Sequence, residues 1–340
     1  MRSTSGSVAV RSKRGRLEAM KGIAREALKL LEEANGRYVS GSLLARKLGV
    51  TRAAVSKAIA KLRRRGFIVE SHPRLGYRLV VCDDLSKAQA YVSGLETRVR
   101  YVLHYLPSTT STQDVAKTLA EHGAPEGTVV VAEEMSVGRC RLGRRWHAGP
   151  GGLWMTVILR PRCPPARIHL FSILSGVAAA QAIEEICGVR PEIKWPNDVL
   201  IEGRKVCGVL VEASTEADTV GYLLLGVGIN VNNELPEELR GLAVSLKEVM
   251  GRVVPRLPLL ATFLLRLDDL YEGLRRGNSE SIIKEWKKRA STLGKRVRAI
   301  CYDTVIEGVA VDVTRDGALL VKTEDGSVCV VQAGDIIHLR

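Results

Sequence analysis

A chain of 340 residues, 46% apolar and 26% charged, is long enough for two or three globular domains and too long for one small module. No apolar run is read as long enough to span a bilayer, and the basic start MRSTSGSVAVRSKRGRLEAM lacks the apolar core of a signal peptide, so the cytoplasm is the expected location and no membrane partner is expected. The net charge of +14 is localised: residues 1–80 hold 19 Lys or Arg against 5 Asp or Glu, and the remainder holds 32 of each.

The first residues read as a basic arm. Apolar residues then recur at helical spacing from Leu17 to Leu31, closed by Asn35-Gly36. A short helix, SLLARKLGV, turns at Gly49-Val50 into TRAAVSKAIAKLRRRG, with Thr51 placed to cap the free amides of the first turn. Ala54, Val55, Ala58, Ile59 and Leu62 form its buried face and leave Arg52, Ser56, Lys57, Lys61 and Arg63 outside, which is helix-turn-helix patterning. FIVES and YRLVV follow as strands around HPRLG, a wing with Arg74 at its tip. Residues 1–82 are therefore expected to form a winged helix-turn-helix that binds double-stranded DNA through Arg52, Ser56, Lys57, Lys61 and Arg74. Phosphate neutralisation makes a basic head on a neutral body the pattern of a polyanion binder; a solvated charged surface or a protein-docking module is the plainer alternative.

After Asp83-Asp84 and a connecting helix, LSKAQAYVSGL, residues 83–290 alternate strands and helices. RYVLHYL, GTVVVAEE, GLWMTVILRP, EIKWP, DVLIEG, KVCGVLVEAS and TVGYLLLGVGINVN read as strands, with helices near 113–122, 166–187 and 257–275. Residues 291–340 change to short strands with turns at Arg315-Asp316-Gly317 and Glu324-Asp325-Gly326, a small β-barrel. The seven cysteines (Cys82, Cys140, Cys163, Cys187, Cys207, Cys301, Cys329) are scattered without a C-x-x-C pair and read as reduced thiols.

Two segments carry chemistry. GRCRLGRRW, Gly138 to Trp146, sets four arginines (Arg139, Arg141, Arg144, Arg145) among glycines between apolar strands. It is too rich in glycine for a helix and too charged for a core strand, so it reads as a flexible loop able to close over an anion. In KWPNDVLIEGRKVCGVLVE, Trp195-Pro196-Asn197-Asp198 forms a turn, and a hairpin at Gly203-Arg204 returns Lys205 alongside Asp198. By spacing alone Lys205 is as readily a solvated surface lysine.

These segments resemble the biotin protein ligases, whose loop reads GRGR(R/L)GRxW and whose second signature reads KWPND followed by K(L/V)xGIL(V)E. TSTQDVAK at Thr110 to Lys117 is similar to the family's TSTNxxAK, and GVGINVN at Gly226 to Asn232 also matches. Both ends resemble the bifunctional ligases that double as biotin operon repressors, so the likeness runs in order along nearly the whole chain. It implies an α+β protein with a winged helix-turn-helix, a class II synthetase-like mixed-sheet catalytic domain and an SH3-like C-terminal barrel. It implies an ATP-dependent ligase that makes biotinyl-adenylate and passes biotin to a lysine of a biotin carboxyl carrier protein, with magnesium as cofactor and a homodimer on DNA.

Carried onto this sequence, the resemblance makes Arg141, Lys205 and Asp198 the catalytic residues. Ser111, Thr112, Gln113, Met135, Gly138, Arg139 and Gly208 join Arg141 and Lys205 around biotin. Arg139, Arg141, Arg144, Trp146, Asn197, Lys205 and Asn230 lie along the adenylate. No separate metal-ligand cluster is implied. Three positions depart from the pattern: Met135 stands where a biotin-contacting Gln is common, Cys140 replaces a loop glycine, and Gln113 replaces Asn. The signatures of the lipoate and octanoate transferases, which share the catalytic fold, are absent. A regulator that senses biotinyl-adenylate, or a ligase whose winged helix no longer represses, remain the alternatives.

Overall fold

The computed structural model describes residues 22–34, 36–64, 67–80, 83–140, 145–216, 218–301, 304–332 and 334–339. The basic arm with the expected helix start at Leu17, together with Cys82, Arg141 and Arg144, lies outside them.

Helices α1 (Ile23–Glu33), α2 (Gly41–Leu48) and α3 (Arg52–Arg64) precede a hairpin of β1 (Ile68–His72) and β2 (Gly76–Val80). Ser40 caps α2 by accepting from the Leu43 amide, Gly49 ends it at φ 63°, and Thr51 Oγ1 accepts from the Ala54 amide at 3.2 Å to start α3. Those two caps set the helix-turn-helix angle locally, before any tertiary packing. Leu28, Leu31, Leu44, Val55, Ile59 and Leu62 then bury together.

The central unit is an eight-stranded mixed sheet. Its strands are β3 (Val102–Thr109), β4 (Thr128–Arg139), β5 (Arg145–Ala148), β6 (Leu153–Leu159), β7 (Glu192–Lys194), β8 (Asp198–Ile201), β9 (Arg204–Glu216) and β10 (Thr219–Ile229). They run in the order β3-β4-β6-β10-β9-β8-β7, with β5 paired to β4; only β3 and β4 are parallel. The expected strands and long helices are all present. Between β2 and β3 the connecting helix is reduced to α4 (Ala88–Val92), and α5 (Thr112–Glu121) follows β3. Val130, Ile158 and Leu224 face α5, while Val129, Val131, Val157, Leu223 and Leu225 face the other way, into the main core. That core contains α6 (Ile168–Cys187) and α8 (Arg256–Arg275), with α7 (Leu246–Met250) and α9 (Ser279–Lys287) completing the unit.

Contrary to the sequence-based expectation, one helix, Pro165–Cys187, is long and apolar enough to cross a membrane; 83% of its apolar window is buried inside the protein, as in a core helix. Cys163, Cys187, Cys207, Cys301 and Cys329 are unbridged. Burial pushes the Cys187 and Cys207 thiols up to about 12, so both are poor nucleophiles.

The C-terminal unit is a five-stranded antiparallel sheet of β11 (Arg296–Cys301), β12 (Thr304–Val313), β13 (Leu319–Lys322), β14 (Val328–Val331) and β15 (Asp335–His338), ordered β14-β13-β12-β11-β15. The turn glycines Gly317 and Gly326 both sit at φ 87°, as their place in the sequence requires. The unit is fastened to the central sheet by Trp195, whose ring nitrogen donates to the Gly317 carbonyl and whose backbone amide donates to Thr292 Oγ1.

Candidate active site

A cavity of about 660 Å³ opens on the α5 face of the central sheet. Its floor is glycine: Gly226 and Gly228 on β10 stand opposite Leu210 and Gly208 on β9. At period two all three glycines share one face, so side chains from elsewhere descend onto the strand backbone. A Cβ at Gly208 or Gly228 would lie 2.9 Å from the Trp146 ring, and one at Gly226 would lie 2.9 Å from Gln113 Oε1.

Around this floor the structure gathers most of the residues singled out from the sequence. Ser111, Thr112, Gln113, Met135, Arg139, Trp146, Asn197, Asp198, Lys205, Gly208 and Asn230 line the cavity. Gly138 is buried one step away, where its hydrogen takes the place of a side chain that would strike the Trp146 carbonyl. Arg141 and Arg144 lie in the part of the loop outside the described residues.

The arginine-glycine segment differs from its expected form. Instead of a free loop from Gly138 to Trp146, β4 and β5 continue pairing through Gly138↔Trp146 and Arg139↔Arg145. The glycine that weakens the strand is the one that allows this close pairing.

Lys205 lies as expected. Its Nζ is 2.6 Å from Asp198 Oδ1 and 5.1 Å from the centre of the Trp146 ring. In register Asp198 faces Gly208 and Leu200 faces Lys205, with a bulge between them, so the side chain reaches back along the hairpin. Asn197 is fixed through Nδ2 to the Val209 carbonyl, and Asn230 accepts from Asn233 Nδ2 at 3.2 Å. Ser111 caps α5 by accepting from the Gln113 amide, and Thr112 receives the Thr156 hydroxyl at 2.9 Å. Met135 Sδ takes the Thr112 amide at 3.3 Å, a weak acceptor where a polar side chain is usual in the family it resembles.

Arg139 lines the cavity with two acidic neighbours. Its guanidinium is held by Asp114 at 2.7 Å and Glu212 at 2.5 Å, so its charge is already answered by two carboxylates. Two polar atoms at the cavity are buried with no hydrogen-bond partner among the described residues: Gln113 Oε1, an acceptor, and Trp146 Nε1, a donor. Unpaired buried polar groups cost about 1–3 kcal/mol each, and a ligand offering a donor and an acceptor there would lower that cost.

Sequence reasoning missed Asp114 and Glu212, single charges in an apolar or amphipathic run with no periodic signal of their own. It also missed the wall formed by Leu235, Leu239, Leu242 and Ala243, and the rim formed by Asp335 and His338 of the C-terminal sheet. Burial, with Lys194 and Lys295 nearby, brings the His338 imidazole down to about 4, so it is neutral at pH 7.

In the N-terminal unit Arg52, Ser56, Lys57 and Arg74 are exposed and Lys61 is half-buried, all on α3 or the wing. Arg63 is turned into the wing, donating to the Val69 carbonyl and Ser71 Oγ. His72 Nδ1 accepts from the amides of Arg74 and Leu75, which shapes the wing tip.

Residues 105–230 match the biotin/lipoate A/B protein ligase family, residues 24–78 an HTH domain, and residues 292–339 the biotin protein ligase C-terminal domain. The chain is 36% identical over 309 residues to the bifunctional ligase/repressor BirA of Bacillus subtilis, covering 89% of this chain and 95% of that one. The chain belongs to the biotin protein ligases. It is 28% identical to the Escherichia coli bifunctional ligase/repressor BirA over 306 residues, covering 89% and 94% of the two chains. Among solved structures it is similar to a biotin protein ligase of Aquifex aeolicus in complex with biotin and ATP, at 30% identity and a TM-score of 0.62, covering 70% of this chain and 98% of the other. The three family matches run in chain order over the helix-turn-helix with its hairpin, the mixed sheet and the C-terminal antiparallel sheet.

Proposed function

We propose that the cavity binds biotin and ATP, joins them as biotinyl-5'-AMP and passes the biotin to the ε-amine of a lysine on a biotin carboxyl carrier domain. The observation that carries this reading is Lys205, held over the Trp146 ring and beside Asp198 at the edge of a cavity of about 660 Å³ that Ser111, Thr112 and Asn230 also line. The biotin carboxylate attacks the α-phosphorus and pyrophosphate leaves. Negative charge grows on the phosphoryl oxygens, where Lys205 and Arg141 stabilise it. The carrier lysine amine then attacks the carbonyl carbon of the anhydride, AMP departs, and Asp198 orients the amine and accepts its proton once Lys205 has turned to the anion. Ser111, Thr112, Gln113 and Met135 take the biotin ring. Trp146, Asn197 and Asn230 take the adenylate, a role the family resemblance gives to Arg144 as well.

Among the described residues no cluster of three metal-ligating side chains exists. Asp198 with Asn197 gives one carboxylate and one amide, a donor set suited to a magnesium ion carried mainly by ATP phosphates and water. Such an ion would neutralise phosphate charge; the chain's own part is to position the nucleotide. Domain limits of 1–82, 83–290 and 291–340 fit this division of labour, and the cytoplasm supplies ATP and the carrier. Incubation of the purified chain with ATP, labelled biotin and a carrier domain should label the carrier lysine and release AMP. Failure to form either adenylate or product would refute the assignment.

We also propose that the winged helix binds a two-fold related operator as a homodimer. Beyond Val209, no described strand covers β9 on the β8 side, so Leu210 to Thr215 present an open sheet edge that a second copy can extend. DNA selected from a random pool with biotin and ATP present should contain a shared site with two-fold symmetry. Arg52→Ala or Lys57→Ala should weaken that site by ~1–3 kcal/mol while changing random DNA much less. A pool that converges on no sequence would leave a non-specific basic appendage instead.

A further inference from the structure

Glu212 lies on β9 and reaches two elements at once. Its Oε1 receives Arg139 Nη2 at 2.5 Å, and its Oε2 receives Gln113 Nε2 at 2.8 Å. An ionised carboxylate only accepts hydrogen bonds, so the Gln113 atom turned to it has to be the NH2 end. The amide oxygen is thereby sent the other way, onto the backbone of Gly226, where it lies buried without a partner among the described residues. Gln113 is 3% exposed and borders the cavity.

We infer that Glu212 is a positioning residue for the biotin ring: its carboxylate fixes which end of the Gln113 amide faces the ligand, and ties that amide to Arg139 at the base of the cationic hairpin. This rests on the proposal that the cavity takes biotin. A cyclic urea carries N–H donors, so it needs an acceptor; an amide turned the other way would set donor against donor. Met135 offers only a thioether nearby, and the Ser111 and Thr112 hydroxyls already accept from the Gln113 amide and the Thr156 hydroxyl, so the unengaged strong acceptor is Gln113 Oε1. Asp114 holds Arg139 independently, at 2.7 Å, so loss of Glu212 frees the Gln113 amide without leaving the arginine unpaired.

The test uses the full chain, biotin, and a biotin methylated on its ureido nitrogens. Glu212→Ala should raise Kd and KM for biotin about 10-fold, the size of one lost hydrogen bond, and change kcat for adenylation less than about 3-fold. Binding of the methylated analogue, weak to begin with, should change less than about 2-fold. Gln113→Leu should match the Glu212→Ala loss, the double variant should be no worse than either, and Glu212→Asp should recover most of the affinity. If Glu212→Ala does not fold, the isosteric Glu212→Gln should lose about 3- to 10-fold with the same selectivity. Equal losses for both ligands, an additive loss of about 100-fold in the double variant, or unchanged biotin affinity would overturn the inference. Absence of biotin binding by the unmodified chain would instead overturn the proposed function.

Discussion

Lys205→Ala should lower the rate of biotinyl-adenylate formation by about 10²-fold or more. The lysine carries a charge that the ground state answers with Asp198 and that the transition state moves to the phosphoryl group, so its contribution grows as the reaction proceeds. Biotin affinity should fall much less than kcat, because the ring contacts are made by other residues. Arg141→Ala should act in the same direction. Lys247→Ala, on the short helix α7 away from the cavity lining, should leave the rate within a factor of about 2, within the spread of ordinary surface substitutions. Pyrophosphate exchange measures all three. A Lys205→Ala protein with near-normal exchange would remove the residue from the catalytic site.

Arg256→Ala should destabilise the central unit by about 3 kcal/mol or more, seen as a lower Tm and earlier denaturant unfolding. Arg256 is 3% exposed and starts α8. It donates to the Asp83 carboxylate and carbonyl at 2.6 Å, to Glu133 at 2.8 Å and to the Gly152 carbonyl at 2.9 Å. Removing it takes the guanidinium away from two part-buried carboxylates and two carbonyls at once, a larger loss than the attraction of one pair. By contrast Arg276→Ala, in an exposed i,i+4 pair with Glu272, should shift stability by less than about 0.5 kcal/mol. Because Glu133 also accepts from the Gly151 amide and lies two residues before Met135 on β4, the Arg256 variant should raise KM for biotin as well. Equal effects of the two arginine substitutions would contradict this account.

Arg256 also shows where reading along the chain stops. Asp83, Glu133 and Gly152 are scattered over three segments, and nothing in the local pattern around Pro255-Arg256-Leu257 marks a buried charge. Glu212 and Asp114 were missed for the same reason: each is an ordinary acidic residue until the fold brings Arg139 between them. Leu235, Leu239 and Leu242, with no clear period, became a cavity wall only through the pairing of Lys205 with Leu242 and Val244.

Local features decided much. The alternation of the strands, the caps at Ser40 and Thr51 and the turn glycines Gly49, Gly317 and Gly326 act within a few residues, so the sequence by itself determined most of the elements, though not β5, α7 or α9. The hairpin that returns Lys205 to Asp198 is equally local, since a short turn fixes its register. Tertiary structure alone decided which groups meet across the sheet: the shared face of Gly208, Gly226 and Gly228, the descent of Trp146 and Gln113 onto it, and the division of Arg139 between two carboxylates. Those contacts join residues far apart in sequence, and their energies depend on burial and on which partners are present, quantities that no local pattern encodes.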